Sequence, residues 1–368
     1  MQLDFHYYAT YCASYLAGFD HNESVRIAYF AQFVDECHAA LLRKLNAPGE
    51  AATTQLQMEL LNSRTDLLGL QNITKIWSSF HFLPADLYAK RRGTRFYLNK
   101  YRLICGPDGE LLKKTVELAK NKDLPSAGLA MHVLADTWAH RYFAGTPSLV
   151  INNTDQHFFE IFPDGTQKKI AFRHKTATDD PEKGLYSNSI FQNNENSIMN
   201  LGHGRAGHLP DYSFCVYKYL PAWGDYMELV KDNPSDYWKA FRQMIYALKY
   251  IRGDIPGFET GLYDEEAVRG HEDRIEAIIR KRQVDASDDW RAFGESLSGE
   301  RVPDFDLGLY QEEYMAALKD EKAGTMLGMF FDAAIRQKNM VAREIFISKN
   351  PLAGIFSKKL SDIIAMSS

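Results

Sequence analysis

The segment 126–145 constrains this chain more than any other part of the sequence, because it places ionisable side chains inside an apolar stretch. Pro125 lies at its start and a glycine at its end, which predicts a helix over these residues. Ala, Leu, Met and Val fill the segment, so the helix is expected to be largely buried. His132, Asp136 and His140 follow one another at intervals of four and therefore share one face of the helix. Ionisable groups on a buried face need a partner.

The helix geometry predicts what that partner is. Residues four apart are separated by about 6 Å along the helix axis, so His132 and Asp136 can hold one metal ion together. His132 and His140 are about 12 Å apart along the axis and cannot reach the same ion on a straight helix. We therefore predict a ladder for two ions, in which Asp136 bridges and His140 binds the second ion. The alternative is a buried polar network without metal, in which Asp136 orients a histidine.

Composition excludes several classes of protein. The 368 residues are 45% hydrophobic and 25% charged, which is ordinary for a globular chain. A net charge of −5 gives no indication of bulk nucleic-acid binding. No apolar run is long enough for a transmembrane helix, and the first residues lack the basic start of a secretory signal. Together with four scattered cysteines, which are expected to be free buried thiols, these features predict a cytoplasmic location.

Three further ionisable residues lie in apolar or aromatic surroundings before the central segment. His6 falls in the first turn of a helix predicted over 3–17, and Asp35 lies inside an apolar run of a helix predicted over about 23–45. His81 is flanked by aromatic residues and stopped by a proline, which leaves strand, helix end and loop open. A single histidine in such surroundings is more often a core residue than a metal ligand.

The rest of the chain predicts a helical core with one insertion. Alternating apolar positions around Pro163-Asp164-Gly165 indicate a hairpin within an insertion over 148–197. A helix is predicted over 235–252, and the remainder of the chain is expected to be helical. We therefore divide the chain into a metal-binding helical core (1–255) and a helical C-terminal extension packed on it (256–368). The basic stretch 89–102 can follow a phosphate backbone, but a solvated basic face is the favoured interpretation.

A loop over 202–211 combines three glycines with polar side chains that packing alone does not require. It contains His203, Arg205, His208 and Asp211. Glycines allow a backbone to approach another group closely. The loop is therefore predicted to fold over a site rather than to serve as a flexible tether.

Taken in order, these residues resemble the motif of the zinc-dependent phospholipase C and P1 nuclease superfamily. The resemblance covers roughly residues 1–215 and implies a mainly α-helical fold with two or three zinc ions. In that family an early His, a helix Asp, a His-Phe dipeptide, an H-x3-D helix with a further His, and a late His bind the metals. The corresponding residues of this chain are His6, Asp35, His81, His132, Asp136, His140 and His208. The loop and the segments around His6 and Asp35 also look like an uncharacterised bacterial branch of this group.

The chain departs from the family pattern at two ligand positions, and the spacing from His132 to His140 is shorter than in some members of the family. Well-known members use the amino group of a mature N-terminal Trp as a zinc ligand, whereas this sequence starts with Met1, so that ligand is expected to be missing and Asp4 to be its substitute. The last ligand pair is normally His-x3-Glu or His-x3-Asp, whereas here Asp211 follows His208 by three residues across a proline. Whether Asp4, His203 or Asp211 binds metal stays open.

The resemblance implies a zinc-dependent hydrolase, most naturally of a phospholipid or nucleotide phosphoester. Asp35 is then expected to bind metal and to orient or deprotonate water. Arg205 or Arg141 would neutralise a phosphate oxygen. Tyr7, Tyr8 and Phe82 would contact an acyl chain or a base. The expected partner is a small-molecule or lipid substrate, and the oligomeric state stays open.

Two alternatives belong to other classes. In a non-catalytic helical binding module, the histidines would form a structural metal site and the C-terminal half an interaction surface. Two or three zinc ions per chain favour the hydrolase, whereas one closed site or none favours the module. A phosphohydrolase of the HD type ranks last, because no His is followed directly by Asp.

Overall fold

Helices make up most of the protein, with a small antiparallel sheet on one side. The computed structural model describes residues 1–56, 59, 67–89, 100–155, 157–174, 178–188 and 201–350. Most of the basic stretch 89–102 and much of the polar part of the insertion therefore lie outside the described residues. A π-helix over Asp4–Ala9 leads directly into the first α-helix. The α-helices of the described residues are α1 (Thr10–Leu16), α2 (His21–Glu36), α3 (Ala39–Leu45), α4 (Leu67–Phe80), α5 (Glu110–Ala119), α6 (Leu124–Ala139), α7 (Leu149–Asn152), α8 (His203–Ala206), α9 (Asn233–Arg252), α10 (Glu272–Arg280), α11 (Ser287–Ser298), α12 (Gln311–Ala316) and α13 (Met326–Ile347).

Short 3-10 helices and strands complete the described secondary structure. The 3-10 helices are Gly49–Ala51, Lys100–Leu103, Pro181–Lys183, Leu209–Asp211, Ala222–Gly224 and Lys322–Gly324. The strands are β1 (Phe159–Ile161), β2 (Gln167–Lys169), β3 (Arg173–His174), β4 (Ser187–Asn188), β5 (Val216–Tyr219) and β6 (Leu229–Asp232). Among the described helices, none combines the length and hydropathy that a membrane span requires.

The predicted hairpin is confirmed, and it belongs to a larger sheet. Strands β1 and β2 pair antiparallel around Pro163-Asp164-Gly165, with Phe159 opposite Lys169. The sheet continues in the order β2-β1-β5-β6. The sequence interpretation did not assign β5 or β6, although residues 216–219 alternate between half-buried and buried positions. One partner of strand β5, β1, lies far away in the sequence, whereas the other, β6, follows it closely.

Helix α6 is the buried centre of the fold, as its composition predicts. Every side chain from Pro125 to Ala139 is buried. The carboxylate of Asp123 caps the first turn by accepting a hydrogen bond from the amide of Ser126. The helix ends at Ala139 rather than at residue 145, and His140 is its C-cap. The chain then turns at Tyr142, whose φ of 79° is incompatible with a continuing helix.

The helix predicted over 23–45 is interrupted. Its start is confirmed, because Asp20 and Glu23 form a reciprocal capping box. The helix breaks at Cys37, whose ψ of 70° is not helical. His38 then caps α3 by accepting a hydrogen bond from the amide of Leu41 at its Nδ1, instead of pointing only to solvent. The break turns the chain immediately after Asp35.

The C-terminal helices share the main hydrophobic core with the N-terminal ones. Trp290 of α11 packs edge-on against Phe5, at 6.0 Å between ring centroids. Phe330 of α13 packs against Phe30 and Phe33 of α2, at 5.6 and 5.0 Å. The residues that carry the candidate site are thus backed by C-terminal side chains, while the domain division at residue 255 stays a prediction.

Candidate metal centre

The buried carboxylate of Asp136 lies at the middle of a cluster of nitrogen atoms. Its Oδ1 is 2.9 Å from the amino nitrogen of Met1 and 3.2 Å from Nε2 of His6. Its Oδ2 is 3.2 Å from both Nδ1 of His81 and Nε2 of His132. Asp136 therefore contacts groups from four separate places in the sequence.

Backbone carbonyl groups orient three of the histidine rings. Nδ1 of His132 lies 2.8 Å from the carbonyl oxygen of Ala31, and Nδ1 of His140 lies 2.7 Å from that of His81. Nε2 of His81 lies 3.0 Å from the carbonyl oxygen of Thr53. Because a carbonyl oxygen can only accept, the ring nitrogen must carry the proton in each case. In a neutral imidazole the other nitrogen then presents a lone pair, which is the arrangement found in metal-binding histidines.

The lone pairs of His81 and His132 meet at Asp136. Nδ1 of His81 and Nε2 of His132 are 3.3 Å apart, and each is 3.2 Å from Oδ2 of Asp136. Three acceptor atoms at such distances repel one another unless a cation or a proton lies among them. Ligand atoms around a tetrahedral zinc ion are about 3.3 Å apart, given bond lengths near 2.0–2.1 Å. These three side chains therefore fit a zinc ion.

His6 supplies a second indication of a cation site. It is fully buried and stacks on the ring of His132, at 3.8 Å between centroids. Among the described residues, its Nδ1 has no hydrogen-bond partner, and its Nε2 lies 3.2 Å from Oδ1 of Asp136 without the geometry of a well-formed hydrogen bond. Burial lowers the pKa of His6 to about 4, so the ring is neutral at pH 7. A buried, neutral imidazole whose Nδ1 has no partner fits a metal ligand, and His6, Asp35 and His132 form a group whose ligand atoms lie within 4.8 Å of one another.

A further group lies at the C-terminal end of α6. Nε2 of His140 and Nε2 of His203 are each 3.3 Å from Oδ1 of Asp211. The glycine-rich loop brings His203 there on the short helix α8, and Asp211 on the 3-10 helix that follows. Gly202 and Gly207 flank α8 with φ values of 49° and 60°, which few other residues adopt.

His208 does not occupy the position that the resemblance implies. Its side chain is 51% exposed, and its Nδ1 lies 3.3 Å from Oδ2 of Asp211, the other oxygen of that carboxylate. It belongs to none of the three groups that could hold an ion among the described residues. His203, five residues earlier, lies where His208 was expected. The loop folds into helix α8, and this places the earlier histidine inward.

The amino group of Met1 is part of the cluster, contrary to expectation. Besides its contact with Asp136, it lies 3.3 Å from Oδ1 of Asp211 and 3.3 Å from Nε2 of His140. Burial opposes its charge, but the three carboxylates of Asp136, Asp211 and Asp35 raise the pKa of this amino group to about 11. Asp4 does not substitute for it.

The Asp4 carboxylate is held by backbone amides and belongs to none of the three groups that could hold an ion among the described residues. It accepts hydrogen bonds from the amides of Phe5 and Ala286. These bonds tie the π-helix to the C-terminal part of the chain, so Asp4 supports the position of His6 without joining the cluster.

The electrostatics keep two carboxylates ionised and, besides His6, a second imidazole neutral. Burial alone would raise the pKa of Asp136 and Asp211, but surrounding histidines and the amino group hold both well below their usual value. Burial lowers the pKa of His140 to about 4. For His81, burial also disfavours charge, but the hydrogen bond and charge of Asp136 raise its pKa above the usual value. His81 and Asp136 therefore share a place for one positive charge, which a proton or a metal ion can fill.

A cavity of about 300 Å³ opens onto the cluster. Asp35 lines it and is 31% exposed, whereas Asp136 is buried behind it. Phe82 also lines the cavity and stacks on His140 at 4.8 Å between centroids. The other described lining residues are Met1, Thr54, Gln55, Trp77, His81, His140, Asn152, Leu201, His203, Gly204 and Asp211.

Four residues predicted to face a substrate lie elsewhere. Arg205 is buried, and its guanidinium donates hydrogen bonds to the carbonyl oxygen of Thr154 and the side chain of Asn153. Arg141 lies 3.4 Å from the carboxylate of Asp236. The side chains of Tyr7 and Tyr8 pack toward the C-terminal segment, where they contact Phe305 and Asp304. The positions of these four residues in the sequence did not indicate whether their side chains would face the cavity.

Comparison with known proteins identifies a family without assigning an activity. No curated protein sequence and no solved structure shows significant similarity to this chain. The model of a family of unknown function, DUF6765, matches residues 1–345. This match covers nearly the whole chain, including every residue of the candidate metal centre, and the chain therefore belongs to the DUF6765 family.

Proposed function

We propose that this protein is a metal-dependent hydrolase, most naturally of phosphoesters, that holds two or three zinc ions in a core similar to that of the phospholipase C and P1 nuclease superfamily. One observation carries the proposal: the lone pairs of His81 and His132 converge with a carboxylate oxygen of Asp136 at about the spacing of zinc ligands. The Nδ1 of His6, which has no partner among the described residues, and the group of His140, His203 and Asp211 support more than one ion.

The cluster suits catalysis better than a closed structural site. A structural zinc ion is surrounded by protein ligands, whereas a catalytic ion keeps a position open for water. Here Asp35 and His203 are partly exposed, and both line the cavity. The residues that would hold metal therefore have a face that water and a substrate can reach.

Asp35 is the side chain best placed to handle a proton. Its Oδ1 lies 3.9 Å from both Nδ1 of His81 and Nε2 of His132, at the boundary between the buried cluster and the cavity. Zinc ions bound at such a site supply a water molecule with a pKa near 7 and polarise the ester oxygen. Asp35 would orient that water and accept its proton.

The cavity wall indicates where an apolar part of the substrate would lie. Trp77 and Phe82 line the cavity together, at 6.1 Å between ring centroids. Aromatic walls suit an acyl chain or a nucleobase. None of the described lining residues is Arg or Lys, so neither Arg205 nor Arg141 supplies positive charge there.

The test combines elemental analysis with a hydrolysis panel. Protein purified without chelator should hold at least two zinc ions per chain and hydrolyse at least one of phosphatidylcholine, single-stranded DNA and bis-p-nitrophenyl phosphate. Asp35→Asn should reduce turnover by about 100-fold or more. Glu36→Gln is the matched control, because it makes the same charge change at the next position of α2 and lies outside the three groups.

Two outcomes would contradict the hydrolase. A protein with one zinc ion or none that hydrolyses no substrate of the panel would favour the binding module. Equal losses of turnover in Asp35→Asn and Glu36→Gln would show that Asp35 has no special role.

A further inference from the structure

A second and larger cavity lies next to the candidate metal centre. It has a volume of about 720 Å³ and is lined by side chains of α3, α4 and α13. Thr54 and Gln55 line both cavities, so they form part of the boundary between the two. A cavity of this size is typical of a small-molecule site.

Three cationic side chains reach this cavity from three different helices. They are Arg43 of α3, Lys75 of α4 and Lys338 of α13. In the described part of the chain, no ion pair joins any of the three to a carboxylate. Surface cations commonly pair with carboxylates, as Lys114 of α5 does with Glu344 of α13. The three cations around this cavity therefore leave positive charge available to a ligand.

Lys338 is the most constrained of the three. Its Nζ donates a 2.7 Å hydrogen bond to the carbonyl oxygen of Glu50 and lies 5.8 Å from the centre of the Phe80 ring. Burial, and to a smaller extent the positive charge of Lys75, lowers its pKa to about 8. An anion between the two ammonium groups would relieve this repulsion.

Two carboxylates, those of Glu50 and Glu59, also line the cavity, so its three cations leave an excess of one positive charge. Both oxygens of Glu59 accept hydrogen bonds from backbone amides, those of Ala40 and Leu56, at 3.1 Å each. Glu50 is exposed at the edge. Ile76, Ile335 and Ala342 contribute apolar wall. The cavity thus offers cationic donors beside an apolar surface.

We propose that this cavity binds a small organic molecule that carries a phosphate group. The oxygens of a phosphate group can accept hydrogen bonds from cations on three different helices at once, and the apolar wall suits an organic substituent. The proposal does not depend on the hydrolase, because none of the three cations belongs to the candidate metal centre.

Phenylphosphonate is the probe, because a phosphoesterase cannot hydrolyse its carbon–phosphorus bond. Isothermal titration of the full-length protein should show binding that weakens about tenfold in Lys75→Met and in Lys338→Met. Lys44→Met is the matched control. It removes the same charge next to Arg43, but Nζ of Lys44 bonds the side chain of Gln311 outside the cavity. Arg43→Met tests the same cavity from an exposed position, where folding is not at risk.

His203→Ala separates this cavity from the metal centre and should leave phenylphosphonate binding unchanged. The proposal is overturned if the wild type does not bind the probe. It is also overturned if Lys44→Met weakens binding as much as the cavity variants do, which would reflect net charge only. Loss of binding in His203→Ala, with Lys75→Met and Arg43→Met unaffected, would place the anion at the metal centre instead.

Discussion

Nδ1 of His132 donates a hydrogen bond of 2.8 Å to the carbonyl oxygen of Ala31, and this bond joins the two helices that carry most of the candidate site. Helix α6 supplies His132 and Asp136, and α2 supplies Asp35 one turn after Ala31. The two helices can approach this closely because residue 128 is a glycine. A Cβ added there would lie 2.8 Å from Cβ of Phe30 and 2.9 Å from the amide nitrogen of Ala31.

Gly128 lies one helical turn before His132 on α6, so Gly128→Ala should displace the metal-binding side chains of α6 and α2. In an exposed helix this substitution would stabilise the protein by about 1 kcal/mol, but the clash between α6 and α2 should destabilise it by about 1–3 kcal/mol. Denaturant unfolding measures the loss, and elemental analysis should show reduced zinc. Gly324→Ala is the control, because its added Cβ would meet nothing within 4 Å. A Gly128→Ala protein with wild-type stability and zinc content would contradict this account of the helix packing.

Asp136→Asn should release more than one metal ion. The carboxylate faces the ring nitrogens of His6, His81 and His132, and the amide side chain removes its negative charge. Stability should fall as well, because buried imidazoles lose their partner. Asp211 contacts His140 at the C-terminal end of α6, and Asp211→Asn should lose about one ion. Elemental analysis of both variants tests the bridging role, which a fully loaded Asp136→Asn protein would exclude.

His203→Ala and His208→Ala should differ in zinc content. The family motif implies that His208→Ala loses zinc, whereas the structure predicts that His203→Ala does. His203 points at the oxygen of Asp211 that also faces His140, whereas His208 is half exposed on the other oxygen. We expect His203→Ala to lose about one zinc ion per chain and His208→Ala to keep all of them. The number of zinc ions per chain, measured on the two purified variants, shows which histidine binds zinc. Loss of zinc from His208→Ala alone would support the assignment made from the family motif.

Chelation should lower the melting temperature of the protein by about 5 °C or more, and adding zinc should restore it. A ligand that binds only the folded state stabilises it by about 4 kcal/mol when present at a thousand times its dissociation constant. The buried Nδ1 of His6, which has no hydrogen-bond partner among the described residues, adds a cost to the metal-free state. Thermal unfolding with and without chelator tests this, and identical curves would remove the support for a metal centre.

Phe330→Ala should destabilise the protein by about 3–5 kcal/mol. The ring is fully buried between α13 and α2, against Phe30 and Phe33. Phe346→Ala on the same helix is the control, because that ring is 45% exposed. Denaturant unfolding compares the two. Equal losses of unfolding free energy would mean that the packing of α13 on α2 contributes little to stability. The C-terminal part would then be more independent of the N-terminal part than their contacts indicate.

Local sequence patterns determined the central helix and most of its chemistry. The four-residue spacing of His132, Asp136 and His140 fixes their common face, because helical periodicity depends only on positions along one element. The hairpin around Pro163-Asp164-Gly165 was equally predictable from turn chemistry. His81 became a candidate metal ligand only because His81-Phe82 matches the His-Phe element of the family motif. Its aromatic surroundings alone favoured a core residue.

Tertiary structure alone decided which side chains complete the cluster. The amino group of Met1 contacts Asp136, and the side chains of His203 and Asp211 contact His140. Their large sequence separations from these partners gave no signal of contact. The choice of His203 over His208, and the turning of Arg205 toward Thr154, follow from the folding of one glycine-rich loop into a short helix. Glycines allow many backbone conformations, so packing against the rest of the fold selects the one adopted.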